Sequence, residues 1–211
     1  AAGLKDYSDR TGVRLENPAA VLSRVRVTQK ELKLPEPDHF RQLIQDVARE
    51  SGGWGPRAAN MIEFLAYSGL RAFSEAPWVT WEDVDWQRKE IVVRGSPETG
   101  TKNREIRRIP VIPDMESLLT RLKGREHRSG RILQVQKCQG ALSRACKKLG
   151  IPRITHHDLR HLFATRCIES GVDIPTVARW LGHKDGGALA MKVYGHLRNQ
   201  HSQEMAQKVR F

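Results

Sequence analysis

Residues 91–111, IVVRGSPETGTKNREIRRIPV, decide how the rest of the chain is read. Ile91-Val92-Val93 is a β-branched run, Gly95 to Gly100 is dense in turn-forming residues, and Ile106 to Val111 is a second run. β-Branched side chains suit a pleated, half-buried surface, and Gly, Ser and Pro interrupt it. The stretch therefore predicts an antiparallel β-hairpin with a long loop, set in a chain whose other patterns are helical.

Upstream, Pro35 and Pro37 open a helix over 37–50 with Phe40, Leu43, Ile44, Val47 and Ala48 on one face. Gly52-Gly53 breaks it. Pro56 is read as the start of a second helix carrying Met61, Ile62, Leu65 and Ala66, capped by Gly69. Downstream, Asp114 is read as the cap of a helix with Met115, Leu118, Leu119 and Leu122, and Ile132 to Val135 as a further strand. Cys138, Ala141, Leu142, Ala145, Cys146 and Leu149 then form the apolar face of a helix ended by Gly150. Three more helices are expected: 158–170, ended by Gly171; 175–182, capped by Asp173; and one around Tyr194. Residues 1–34, with Pro18 among them, show no sustained periodicity and read as an arm or linker. The expected fold class is mainly α with a small antiparallel β-sheet, over residues 35–211.

Composition narrows the function. The 211 residues suffice for one ordinary domain plus an arm. No apolar run approaches the roughly 20 residues of a membrane span. Ala1-Ala2-Gly3 leads straight into charged sequence, unlike a secretory signal. Three cysteines without a Cys-x-x-Cys pair argue against a disulfide framework or a cysteine zinc knuckle, and the expected location is cytoplasmic. Lys and Arg outnumber Asp and Glu by 36 to 24, a net charge of +12. That excess favours polyanions, nucleic acid before anionic membrane. Residues 121–148 hold nine Lys/Arg against one acid and residues 88–108 seven against three, which together suggest a phosphate-facing stripe.

His156, His157, His161, His183, His196 and His201 crowd the last third. His157 and His161 could share a helix face, but Asp-Leu-Arg lies between them instead of the Glu-x-x of a zinc protease, and Arg160 would repel a cation. No metal is expected. Another grouping is more informative. His157 and Arg160 project from one side of a helix start, Arg71 follows the break at Gly69, Lys102 sits in the hairpin loop, and His183 follows a helix end. These are donors that would surround one phosphate. Tyr194 is then the natural nucleophile, because no Ser or Cys occupies an activated setting.

At these residues the chain resembles the catalytic domain of tyrosine recombinases, the phage integrase family. Ser68-Gly69-Leu70-Arg71 is similar to the family's first arginine motif, and Lys102, eight residues before Pro110, to its hairpin lysine. His157-Asp158-Leu159-Arg160-His161, followed by Ala164-Thr165, is similar to the His-x-Leu-Arg-His box. Leu181-Gly182-His183 and Tyr194-Gly195-His196 are similar to the second histidine motif and the nucleophile motif. Asn17-Pro18-Ala19 resembles the linker after the family's N-terminal core-binding domain, which these 211 residues are expected not to include. Two spacings depart from the pattern. His183 and Tyr194 are eleven residues apart where nine is commonest, and Glu75 stands four residues after Arg71 where the family's acid stands three.

The resemblance implies a site-specific DNA recombinase or integrase, from a phage or another mobile element. Tyr194 attacks a DNA phosphate to give a 3′-phosphotyrosine and a free 5′-hydroxyl, and a partner strand's 5′-hydroxyl reverses the step. The catalytic set is Arg71, Lys102, His157, Arg160, His183 and Tyr194, with no cofactor. Its partners are double-stranded DNA and other copies of itself, a tetramer on DNA and a monomer without it, at the nucleoid and not at a membrane. The tail, where Met205, Ala206 and Val209 make a short apolar face, is expected to dock on a neighbouring copy. Two alternatives stay open. Asp173 to His183 also scans as a helix-turn-helix, which would make the chain a non-enzymatic DNA-binding module; a type IB topoisomerase-like enzyme would share the chemistry.

Overall fold

The computed structural model describes residues 2–13, 17, 33–50, 53–102, 104–124, 129–184, 187–188 and 190–191. Tyr194, the helix expected around it and the tail lie outside the described residues. The chain divides into two compact units, Ala1–Leu32 and Lys33–Phe211.

In the first unit, helix α1 (Ala2–Thr11) stands where the sequence shows no sustained periodicity. It has no buried stripe to produce one: its described side chains are exposed or half-buried. Local contacts hold it instead. Arg10 pairs with Asp6 at 2.6 Å, and Thr11 Oγ1 donates to Tyr7 O at 2.8 Å.

The second unit contains helices α2 (Pro37–Ala48), α3 (Trp54–Ser68), α4 (Pro113–Lys123), α5 (Gln139–Lys148), α6 (His156–Glu169) and α7 (Ile174–Leu181). Its antiparallel sheet has three strands, β1 (Val84–Asp85), β2 (Glu90–Val93) and β3 (Arg107–Pro110), in that spatial order. α3 is the centre. It packs against α2, α4, α5 and α6, and Met61, Ile62, Phe64 and Leu65 are fully buried. α2 lays Phe40, Leu43 and Val47 into the core, and α6 adds Leu159 and Phe163.

The hairpin pairs Ile91 with Ile109 and Val93 with Arg107. Successive side chains of a strand alternate faces, so Arg107 shares the inward face of Ile109. That places a charged side chain at the inner end of the strand, toward α7.

Several boundaries differ from the sequence expectation. Ile132 to Val135 is not a strand. It is a buried irregular segment, tied by the bridge between Thr80 and Arg131 and by Ile132 N–H donating to Val79 O at 3.1 Å. The third strand is β1 instead, too short to show an alternation. α4 takes Ile112 as its N-cap, with Pro113 first in the helix, so Asp114 lies inside the first turn and complements the helix dipole there. α3 begins two residues before Pro56, because proline is tolerated in a first turn where its missing N–H has no partner to lose. α6 begins at His156 because Thr155 and Asp158 form a capping box, Asp158 Oδ2 accepting from Thr155 N–H at 2.8 Å. In α7, Asp173 caps as expected, accepting from Thr176 N–H at 2.8 Å. Cys138 and Cys146 are buried packing residues.

Gly69 ends α3 in the left-handed region, at φ 63°. A Cβ there would lie 2.5 Å from Phe163 Cδ1 and 2.9 Å from Leu181 Cδ2. Gly69→Ala should therefore destabilise the protein by about 1–3 kcal/mol from backbone strain, with the clash against Phe163 adding to it. A urea midpoint equal to wild type would contradict this close approach of α3, α6 and α7.

Candidate active site

The left-handed turn at Gly69 carries the chain out of α3 and delivers Arg71. Arg71 O accepts from Glu75 N–H at 3.2 Å and Ala76 N–H at 3.0 Å, which closes the turn. Glu75, fully buried, is its anchor. Glu75 Oε2 accepts from Arg71 N–H at 2.9 Å, and Oε1 pairs with the Arg71 guanidinium. Arg107 grips the same carboxylate in a fork, Nη1 to Oε1 at 3.0 Å and Nη2 to Oε2 at 2.7 Å. Burial alone would raise the Glu75 carboxyl. The bonds and charges of Arg107 and Arg71 outweigh it and hold the group below the usual carboxylate range.

Arg107 also donates from Nε to Trp180 O at 2.8 Å. A Cβ on Gly182 would sit 3.2 Å from its guanidinium carbon. This arginine was missed in the sequence. It stands three residues before Pro110, the marker of the hairpin lysine, and its alternation with Ile109 could have placed it inward.

Arg160 is buried, at 5% exposure. It donates to Gly69 O and to Leu181 O, each at 2.6 Å, and its Nη2 lies 3.3 Å from His183 Nε2. Both carbonyls are at helix C-terminal ends, where the helix dipole favours a cation. Gly182, at φ 70°, terminates α7 and sets His183, whose N–H donates to Ala178 O at 2.9 Å.

His157 projects from the first turn of α6, one turn before Arg160. Loss of water around its ring, then the Arg160 charge, lowers its pKa. His161 is pushed to about 4, first by burial and then by His157. The two rings meet edge to face, centroids 4.5 Å apart. Their pair is thus biased toward neutral imidazoles at neutral pH.

Lys102 is exposed on the hairpin loop. The loop has a fixed base: Thr101 is buried, its Oγ1 donating to Glu105 O at 2.9 Å and accepting from Glu105 N–H at 3.0 Å. Arg71, Lys102, His157, Arg160 and His183 line one cavity of about 570 Å³, with Phe73 and His156 in its wall. Five of the six catalytic residues expected from the sequence are therefore together, drawn from the α3 exit, the hairpin, α6 and the α7 exit. Tyr194, the sixth, lies outside the described residues. In the segment before it, Met191 N–H donates to Gly187 O at 2.7 Å and Ala190 is buried.

Two other readings look different in the structure. α7, which scanned as a recognition helix, buries Ile174, Val177, Ala178 and Leu181, and its last carbonyls are occupied by Arg107 and Arg160. Within the basic run 121–148, three of the described cations are taken up by acids. Arg144 pairs with Glu50 at 2.6 Å, Lys148 with Asp46 at 2.6 Å and Arg121 with Glu63, so these three serve acids on α2, just beyond its end, and on α3.

A model of the phage integrase family matches residues 36–201. Curated relatives include the tyrosine recombinase XerC of Listeria monocytogenes serotype 4a (strain HCC23), 27% identical over 210 residues that cover 91% of this chain and 67% of that protein. Tyrosine recombinase XerA of Saccharolobus solfataricus is 34% identical over 175 residues, covering 82% of this chain and 55% of that protein. Among solved structures, the Tn1549 transposon integrase in complex with transposon right end DNA has a TM-score of 0.64 at 18% identity, over 86% of this chain and 67% of that one. The catalytic domain of bacteriophage HP1 integrase has a TM-score of 0.61 at 21% identity, over 84% of this chain and 95% of that one.

Glu75 supplies a test of the anchor. Its folded pKa is lowered, so its contribution to stability is complete above the ordinary carboxylate pKa and is lost as pH falls through the folded value. Glu75→Gln should cost about 3–5 kcal/mol at neutral pH, because it leaves buried guanidinium charge uncompensated. The gap from wild type should narrow once acid protonates the wild-type carboxyl. Urea melts compared at neutral pH and at about pH 3 check this; a gap unchanged in acid would assign the loss to packing rather than charge.

Proposed function

The chain belongs to the phage integrase family, and from that membership we propose that it cuts and rejoins double-stranded DNA by transesterification, with Tyr194 as nucleophile. The observation that carries this reading is the single cavity lined by Arg71, Lys102, His157, Arg160 and His183. A pentacoordinate phosphate gathers negative charge on its non-bridging oxygens. Arg71 and Arg160 meet that charge with planar, permanently charged forks whose positions are set before substrate arrives, and His183 adds a donor.

Tyr194 Oη attacks phosphorus as its proton passes to His157. The lowered pKa of His157 favours the neutral, proton-accepting ring. The bond from phosphorus to the 5′-oxygen breaks, and Lys102 gives that oxygen a proton. The products are a 3′-phosphotyrosine and a 5′-hydroxyl. A 5′-hydroxyl from another strand then attacks the phosphotyrosine and releases Tyr194. Bond energy is conserved in the covalent link.

The proposal extends to organisation. Residues 1–34 act as the linker to a core-binding domain and 35–211 as the catalytic domain. Copies assemble as a tetramer on DNA, with the tail beyond about Gln200 docking on a neighbour, at the nucleoid in the cytoplasm. Among the described residues no helix is long and apolar enough to cross a membrane.

Incubation with a nicked suicide duplex tests the reading directly. Tyr194→Phe should abolish the covalent adduct while DNA affinity stays nearly constant, since phosphate contacts dominate binding. An adduct that persists in the variant removes Tyr194 as nucleophile. A full strand-exchange assay separates a recombinase from a topoisomerase-like enzyme, which would only relax its substrate.

Lys102 makes a sharper prediction. Lys102→Ala should slow cleavage of ordinary DNA by about 10²–10⁴-fold, the range for loss of a general acid. Replacing the 5′-bridging oxygen by sulfur should restore it, because a thiolate leaves without a proton. Arg71→Ala should gain no comparable rescue; equal rescue of both variants would contradict the separate roles.

A further inference from the structure

Three contacts run in series away from the cavity, and the mechanism above uses none of them. The Phe73 ring stands edge to face on His156, centroids 5.3 Å apart and planes at 85°. The Phe73 carbonyl accepts the Trp78 indole N–H at 3.3 Å. The Arg131 guanidinium lies over the Trp78 ring, 4.2 Å from its centroid.

Phe73 is 63% exposed although it lines the cavity, whereas Leu70 beside it is 1% exposed. The ring is not on a loose loop. Ala72-Phe73-Ser74 spans two anchored ends, Arg71 and Glu75. Arg131 is exposed, and the indole beneath it levels its planar head. From the cavity outward the surface therefore alternates cation, aromatic ring, cation. A DNA strand alternates in the complementary order: phosphate, then the apolar faces of sugar and base, then phosphate.

We propose that Phe73, Trp78 and Arg131 form the track for the DNA strand leaving the cavity, Phe73 packing on the nucleotide beside the bound phosphate and Arg131 holding a phosphate farther along. This rests on the reading of the cavity as a DNA phosphate site. It assigns Phe73 a substrate contact and gives Arg131 a partner different from the acids that hold Arg121, Arg144 and Lys148.

The test is duplex binding by fluorescence anisotropy across a salt series, in a Tyr194→Phe background so that no covalent step intervenes. Arg131→Gln should reduce the log–log salt slope by about 0.9, the value of one phosphate contact, and Arg131→Lys should retain it. On a partial duplex with an unpaired strand end, whose base faces are open, Phe73→Ala should leave the slope unchanged and weaken binding by about fivefold to a hundredfold, the range for losing one aromatic–base stack; Phe73→Trp should restore affinity. With abasic sites in that unpaired end, the Phe73 parent should weaken while Phe73→Ala loses nothing more. An unchanged slope in Arg131→Gln overturns the track, and so does an abasic penalty equal in the Phe73 parent and Phe73→Ala. Thermal melts of the variants matching the parent assign the effects to binding. Failure of the enzyme that retains Tyr194 to form an adduct would overturn the transesterification reading and leave these binding outcomes in force.

Discussion

A carboxylate with no exposed surface, Glu75, is the constraint on which the site depends. Placing such a group in the interior is costly unless it is paired and its lone pairs are filled. Glu75 meets both conditions through two arginines from different parts of the chain, Arg71 on the α3 exit and Arg107 on β3. The same bonds that make the buried charge tolerable therefore fix where Arg71 points. Arg107 carries the constraint farther through its bond to Trp180 O. One buried acid thereby registers the α3 exit, the hairpin and the end of α7, three of the four elements that bring donors to the cavity.

Arg160 solves the reciprocal problem, a buried cation. It is held by Gly69 O and Leu181 O, the ends of α3 and α7. Helix C-terminal carbonyls have no partner within their own helix and carry the negative end of the dipole. Two helix ends aimed at one guanidinium hold it in place before substrate arrives, and dipole and fork geometry together fix its direction. Gly69 and Gly182 both have left-handed φ because each helix must stop abruptly for its carbonyls to be free at that point. These two glycines are therefore part of how Arg160 is positioned.

The helices were legible because their apolar faces are long and periodic, as in Phe40, Leu43 and Val47, and the hairpin because its turn residues are concentrated between two β-branched runs. Five of the expected catalytic residues could be named because their neighbours form ordered motifs. What escaped has a common physical origin. β1 has two residues and Ile132 to Val135 is apolar without pairing, so in both cases burial and strand formation part company. α1 is held by local contacts that leave no apolar stripe. Arg107 escaped because one of two adjacent arginines on a strand looks like a solvated one; only the register that places it on the face of Ile109 turns it inward. The pairs of Arg144 and Lys148 with Glu50 and Asp46 tie α5 to α2 and to the turn after it, contacts between residues some hundred positions apart that a count of local charge cannot contain.

The cavity also separates its donors by how firmly each is held, in a way that suits the tasks proposed for them. Arg160 is nearly fully buried and the Arg71 side chain is 24% exposed, each tied to protein groups before any substrate arrives. Charge stabilisation gains from such fixity, because a preorganised dipole or cation needs no rearrangement as negative charge develops. Lys102 is built differently: an exposed side chain on a long flexible stem, rising from a loop whose base is clamped at Thr101 and Glu105. In the proposed mechanism the proton donor must reach an oxygen that departs during the reaction, and a fixed base with an exposed head suits that movement. The residue types divide along the same line, guanidinium forks where geometry must be held and a single ammonium where it must follow.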